Sequence, residues 1–188
     1  MKFVLDLLQG AGIAAAVGVR PLLPVLLVGA LASADLGLDF DGTSFAFLEA
    51  WPFILAMVLA LAGLEFASRR TNLGYVLAAI SIVLGALYGA GSLADNGYAI
   101  VPGVVVGAAA ATLGFFAALS LFTRVRRRLD PEAASTLPLY GEGAAGTSAG
   151  LSVLFPPLAI LVLGGLGWLL AGGRRRAGEK YAGLRILR

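Results

Sequence analysis

The chain has 188 residues, 59% of them hydrophobic and 13% charged, far below the roughly 25% charge of soluble domains. It contains no Cys and no His, which excludes disulfides, thiol catalysis, zinc sites of the usual kind and any His-activated nucleophile. Net charge is +3, and the basic residues fall mainly into three clusters, Arg69-Arg70, Arg124 to Arg128 and Arg174 to Arg188. Each cluster flanks a long apolar run, so the clusters read as membrane anchors and not as a nucleic-acid surface.

About 20 residues are needed to cross a hydrocarbon core, and five apolar segments approach that length. The first, Phe3 to Ser33, is interrupted around Arg20-Pro21 and Pro24. Its start resembles a signal peptide, but Asp6 and Gln9 spoil the apolar region, so the sequence predicts a retained segment. The second runs from Phe45 to Phe66 with Glu65 near its end, the third from Tyr75 to Ala94, and the fourth from Ala99 to Thr123. Segments three and four carry small-residue stripes, including the pairs Gly85/Gly89 and Gly103/Gly107, which suit close packing within the chain or a dimer seam. The fifth segment, Ala144 to Leu170, is interrupted at Phe155 to Pro157.

Loop charges set an orientation. The loop Ala34 to Thr43 has three aspartates and no basic residue, whereas Arg69-Arg70 and Arg124 to Arg128 flank the other ends. The positive-inside rule places the arginines in the cytoplasm and the acidic loop outside. A single crossing by segment five would export the basic tail against that rule. Its arms, of 12 and 13 residues, are also too short to cross alone. A re-entrant hairpin turning at Pro156-Pro157 reconciles both facts. The predicted fold is therefore an all-α, polytopic transmembrane bundle with three regular spans and two proline-broken segments. Residues 1–171 form one transmembrane domain, and 172–188 a basic cytoplasmic tail.

The two broken segments also align without gaps at Gly10/Gly143, Ala11/Ala144, Ala16/Ala149 and Pro24/Pro157. Paired broken segments in the two halves of a chain point to a midplane site in secondary transporters. Arg20 at membrane depth costs at least about 2.5 kcal/mol unless it pairs or snorkels. Its acidic candidates are Glu65, Asp6 and Glu49, and Glu65 can alternatively pair with Arg69. A half-helix beginning at Gly143 would bring N-terminal amides to the same depth. The expected site is thus an anion-compatible pocket formed by Arg20, Pro21, Ser148, Ser152 and Pro156, with Glu65 against Arg20. Ser148 and Ser152 are one helical turn apart but have no His to activate them, so no catalytic residue, metal or cofactor is expected and the chain does not read as an enzyme.

The stretches GVRPLLPVLLVGAL, LAGLEF and RLDPEAASTLPLYGEGAAGTSAGLSVLFPPLAIL resemble the bacterial integral membrane family called domain of unknown function 4126. That resemblance implies a multi-pass protein of the bacterial cytoplasmic (inner) membrane and brings no settled activity. The family follows the glutamate with an acidic-basic pair and a proline, where this chain has FASRRTN after Glu65. The functional expectation is a small transporter, permease or lipid flippase, homo-oligomeric and surrounded by membrane lipids, for an anionic lipid or small anion. The alternative is a non-transporting scaffold or accessory subunit.

Overall fold

The computed structural model describes residues 1–68 and 74–182. Arg69, Arg70, Arg185 and Arg188, which carry part of the orientation argument, lie outside the described residues. Among the described residues seven α-helices follow one another: α1 (Lys2–Val19), α2 (Leu22–Ala32), α3 (Trp51–Ser68), α4 (Gly74–Ala94), α5 (Ile100–Arg126), α6 (Pro131–Leu154) and α7 (Leu158–Ala182). Among the described residues there are no strands.

Three helices, α1, α4 and α5, are long and apolar enough to cross a membrane, while α2, α3 and the apolar part of α7 are shorter. The expectation of a helical membrane protein stands in this coarse form, but the three long spans are not the three expected ones. Segment one supplies α1, because its interruption falls at Arg20-Pro21 and leaves 18 uninterrupted residues before it. Pro24 lies inside the first turn of α2, where a missing amide breaks no helical bond. Segment two yields the shorter α3, because Phe45 to Ala50 form a turn and a single 3-10 element, Ala46–Leu48. Segment five changes most. Asp130 and Pro131 start α6 well before Ala144, so its two arms are helices of 24 and 25 residues. The length argument for a re-entrant hairpin therefore fails, and so does the idea of a helix N-terminus at Gly143.

Helix α1 is the axis of the bundle. Every residue from Gln9 to Gly18 is buried, and α4, α5, α6 and α7 all pack against it. Eight of these ten residues are apolar or glycine with at most three side-chain carbons, apart from Gln9 and Ile13. That lets neighbouring backbones come close: a Cβ on Gly18 would strike the Ala111 carbonyl, and one on Gly114 the Ala15 carbonyl. Many bulky residues face outward, among them Leu55, Leu59, Val105, Phe116, Leu161 and Trp168, all exposed. Small residues at the tightest helix contacts and large ones on the outer faces is the arrangement expected where lipid, not water, is the solvent.

The stripes on α4 and α5 meet each other. A Cβ on Gly89 would run into the Gly103 carbonyl, and one on Gly107 into the Gly85 carbonyl, so both glycine pairs are spent within the chain. Gly89→Ala should cost about 1–3 kcal/mol through overpacking. Gly63→Ala, on the open face of α3 where an added Cβ meets nothing within 4 Å, should be neutral or stabilising by up to about 1 kcal/mol. Thermal melting of the two variants in detergent checks the contrast.

Candidate functional site

The bundle has two ends: an arginine end, at Arg124 to Arg128, and an acidic-loop end, at Ala34 to Thr43. Helix α1 begins at the acidic-loop end, where the Ser92 hydroxyl donates to the Asp6 carbonyl at 2.7 Å and Phe3 meets Tyr98 edge-on. It finishes at the arginine end, with the Arg20 guanidinium 5.5 Å from the Phe122 ring centre. Helix α2 then turns back along α6, Leu23 beside Gly146 and Leu27 beside Gly150. Helix α6 runs towards the acidic-loop end and α7 returns, so that Arg124 donates to the Leu169 carbonyl at 3.2 Å.

At the arginine end a cavity of ≈ 450 Å³ opens beside the α1–α2 break, between α3, α4, α5 and α6. It exists because α3 packs mainly on α2 and barely touches α4. Arg20 and Glu65 form an ion pair on its wall, with 19% and 26% of their side chains exposed. Pro21 lines it as well, together with Arg126, Ser135 and Ser81, and the remainder is apolar, including Leu61, Leu77 and Phe115. An apolar cluster starts at Leu61 on the cavity wall and passes through Val17, Val25 and Tyr88 to Leu38 and Phe40. Phe40, fully buried under Gly91 and 6.4 Å from the Tyr88 ring, closes the acidic-loop end.

Of the six expected site residues, the structure brings Arg20, Pro21 and Glu65 together. Ser148, Ser152 and Pro156 lie apart from this cavity, towards the acidic-loop end. Ser152 is fully buried against Gly12, and its hydroxyl donates to the Ser148 carbonyl at 2.7 Å. The Ser148 hydroxyl donates to the Ala144 carbonyl at 2.6 Å. Pro156 is half-buried at the α6–α7 break. The reason is the early start of α6, which puts both serines in its last two turns instead of at a helix N-terminus. Arg126 and Ser135 were not expected here; Arg126 was hidden by its membership of an anchoring cluster.

Two further residues, which the sequence did not place in the site, connect the breaks. Glu142, 7% exposed on α6, accepts the Leu23 amide at 3.0 Å through Oε2. That amide is one of those left without a helical partner at the start of α2. Gln9, 5% exposed on α1, donates through Nε2 to the Val153 carbonyl at 2.9 Å and to the Gly37 carbonyl at 2.6 Å. Val153 is four residues before Pro157, which has no N–H to serve that carbonyl. Each broken segment therefore satisfies the backbone of the other. Gln9 and Glu142 each precede the aligned glycines Gly10 and Gly143, so they occupy equivalent positions in the internal match. The packing obeys the same exchange: α1 and α6 run antiparallel, α2 lies on α6, and α7 lies on α1.

The acidic-loop end holds a second group of charges. One oxygen each of Asp39, Asp41 and Glu49 lie within 4.8 Å of one another, and the Phe40 amide donates to Glu49 at 3.0 Å. Burial raises the Glu49 carboxyl above its ordinary range, with Asp41 and Asp39 adding to it against the Phe40 hydrogen bond. Burial likewise raises Asp95, opposed by a hydrogen bond that the Asp39 backbone amide donates to it and helped by the charges of Asp39 and Asp6.

No family model matches the chain, and no curated protein or solved structure shows a significant similarity to it. The resemblance to domain of unknown function 4126 thus rests on the quoted motifs alone.

Two outcomes follow from this geometry. Arg20→Ala should cost about 1–3 kcal/mol in detergent melting, between an exposed and a fully buried pair. The Arg20→Ala/Glu65→Ala double variant should cost less than the sum of its singles. For the acidic loop, a carboxyl raised in the folded state contributes stability at pH below its unfolded value, and loses it as pH rises through the folded value. Melting temperature should therefore rise on mild acidification from neutral pH, and Glu49→Gln with Asp95→Asn should flatten that rise.

Proposed function

We propose that this protein is a small multi-pass membrane transporter, permease or lipid flippase, with its ligand site in the cavity beside the α1–α2 break. The observation that carries this reading is the cavity itself: solvent-sized space, lined by a charge pair and the α1–α2 break, inside a bundle of apolar helices. Arginine is expensive at such depth and is kept mainly where it meets a partner or a ligand. The reciprocal caps at the two breaks support an inverted repeat, the architecture that gives many secondary transporters two alternating states. In that reading the cavity is the open side of one state, and the Phe40 closure is its opposite gate.

The ligand class follows from the lining. Arg20 already faces Glu65 and the α2 N-terminus already faces Glu142, so neither offers a whole positive charge. Arg126 adds a further cation, Ser135 a hydroxyl, and the remaining walls are apolar. This combination suits an amphiphile with one anionic group and an apolar body, such as an anionic lipid, better than a small hydrated anion. The orientation belongs to the same proposal: the arginine end is cytoplasmic in a bacterial inner membrane, and α7 returns the chain to that side. So does kinship with domain of unknown function 4126. The scaffold alternative draws on the dry packing around Ser152, which gives the second break no pocket of its own. Homo-oligomerisation has lost the glycine stripes as its seam, and the cavity needs no second copy.

A panel of phosphorylated lipids, fatty-acid-like anions and small inorganic anions, read by thermal shift of the purified protein, tests the site. An anionic amphiphile should stabilise the parent and lose its effect in Arg126→Gln; no response to any member would favour the scaffold. Cysteines introduced at Asp39 and Arg128 should label from outside and from inside respectively with an impermeant thiol reagent, there being no native Cys.

A further inference from the structure

We propose that Glu142 is a proton-binding site: a carboxyl in the bundle interior that takes up and releases one proton and thereby changes the partner of Arg20. The geometry is specific. Oε2 is occupied by the Leu23 amide, whereas Oε1 is buried and has no hydrogen-bond partner among the described residues. Capping α2 does not require a carboxyl. A glutamine carbonyl would accept the same amide without bringing an ionisable group into the interior; Gln9, at the equivalent position of the other repeat, acts instead as a donor to two carbonyls. What Glu142 has and glutamine lacks is a place for a proton.

A metal cation fits poorly. Such ions take several oxygen ligands, and the positive end of α2 lies against this carboxyl. The charged groups around it are few. Arg20 approaches from the α1–α2 break, its Cγ 3.5 Å from where a Cβ on Gly141 would stand, and Glu65 faces it from α3. From α5 come Arg124, bonded to the Leu169 carbonyl, and Arg126 on the cavity wall. Helix α2 has no titratable side chain, and neither does α7 from Leu158 to Gly172. With Glu142 protonated, Arg20 has one carboxylate to meet, and it pairs with Glu65 as observed. Release of the proton to solvent at the arginine end leaves two carboxylates competing for one guanidinium. Drawing Arg20 off Glu65 loosens α3 from the break and changes the cavity. The coupling to a ligand rests on the transporter reading; the proton site does not.

Infrared difference spectra of the protein in lipid nanodiscs, titrated from mildly acid to alkaline pH with no ligand present, test the inference. A protonated carboxyl band should appear in the parent and be lost in Glu142→Gln, with the melting temperature of that variant close to the parent's. Spectra of parent and variant that coincide at every pH would overturn it. If Glu142→Gln does not fold, Glu142→Asp must shift the band or its titration midpoint, and an unchanged band overturns the proposal equally. Because no ligand is used, failure of every anion in the binding panel leaves this result standing, and absence of the band leaves the cavity reading intact.

Discussion

A backbone amide or carbonyl released by a helix break inside an apolar bundle must find its partner within the protein. Two breaks create that demand here, and two side chains answer it from across the molecule: Glu142 for the start of α2 and Gln9 for the end of α6. These contacts fix more than two hydrogen bonds. They set the axial register of α1 against α6, and through it the places where α2 and α7 can lie. The cavity lies at the same junction, where Gly141 of α6 sits beside Arg20 at the α1–α2 break.

Close approach is the second requirement. Four helices surround α1 because its central ten residues are mostly alanine and glycine, and dispersion contacts between backbones replace the hydrophobic effect that lipid cannot supply. Helix α3 is different. It has no such small-residue face in the bundle, contacts α2 and little else, and leaves the cleft that becomes the cavity. Packing tightness and functional space are thus divided between helices, tight around α1 and loose around α3.

Much of this could be read from residue types. Apolar run lengths located α4 and α5 to within a few residues, and the glycine stripes correctly marked faces that meet. Arg20 with Glu65 was among the pairings that charge and depth allowed. The rest depended on information that a linear pattern does not hold. The beginning of α6 was hidden because Glu132, Ser135, Thr136 and Glu142 make its first half look like a polar loop, although one side of it lies against the bundle. That single boundary misplaced Ser148, Ser152 and Pro156. Glu142 was left out of the expected site for a related reason: a glutamate between two glycines reads as loop chemistry until the helix and its burial are known. The internal match, weak as a run of glycines and alanines, became informative only when its neighbouring polar residues proved to do equivalent work.

The order in which the chain is made bears on how this centre can be assembled. Helix α1 emerges before the six helices that follow it, yet the carbonyl that Gln9 serves lies 144 residues later and the carboxyl that caps Leu23 lies 119 residues after it. Local hairpins such as α4–α5 can close as soon as both helices exist, whereas contacts of this span wait for nearly the whole chain. During synthesis the polar groups of the axial helix must therefore be sheltered by something else, whether early neighbours, water or the insertion machinery. Truncation anywhere before α6 would leave them without their final partners. The earliest of these seven helices is the last to be enclosed.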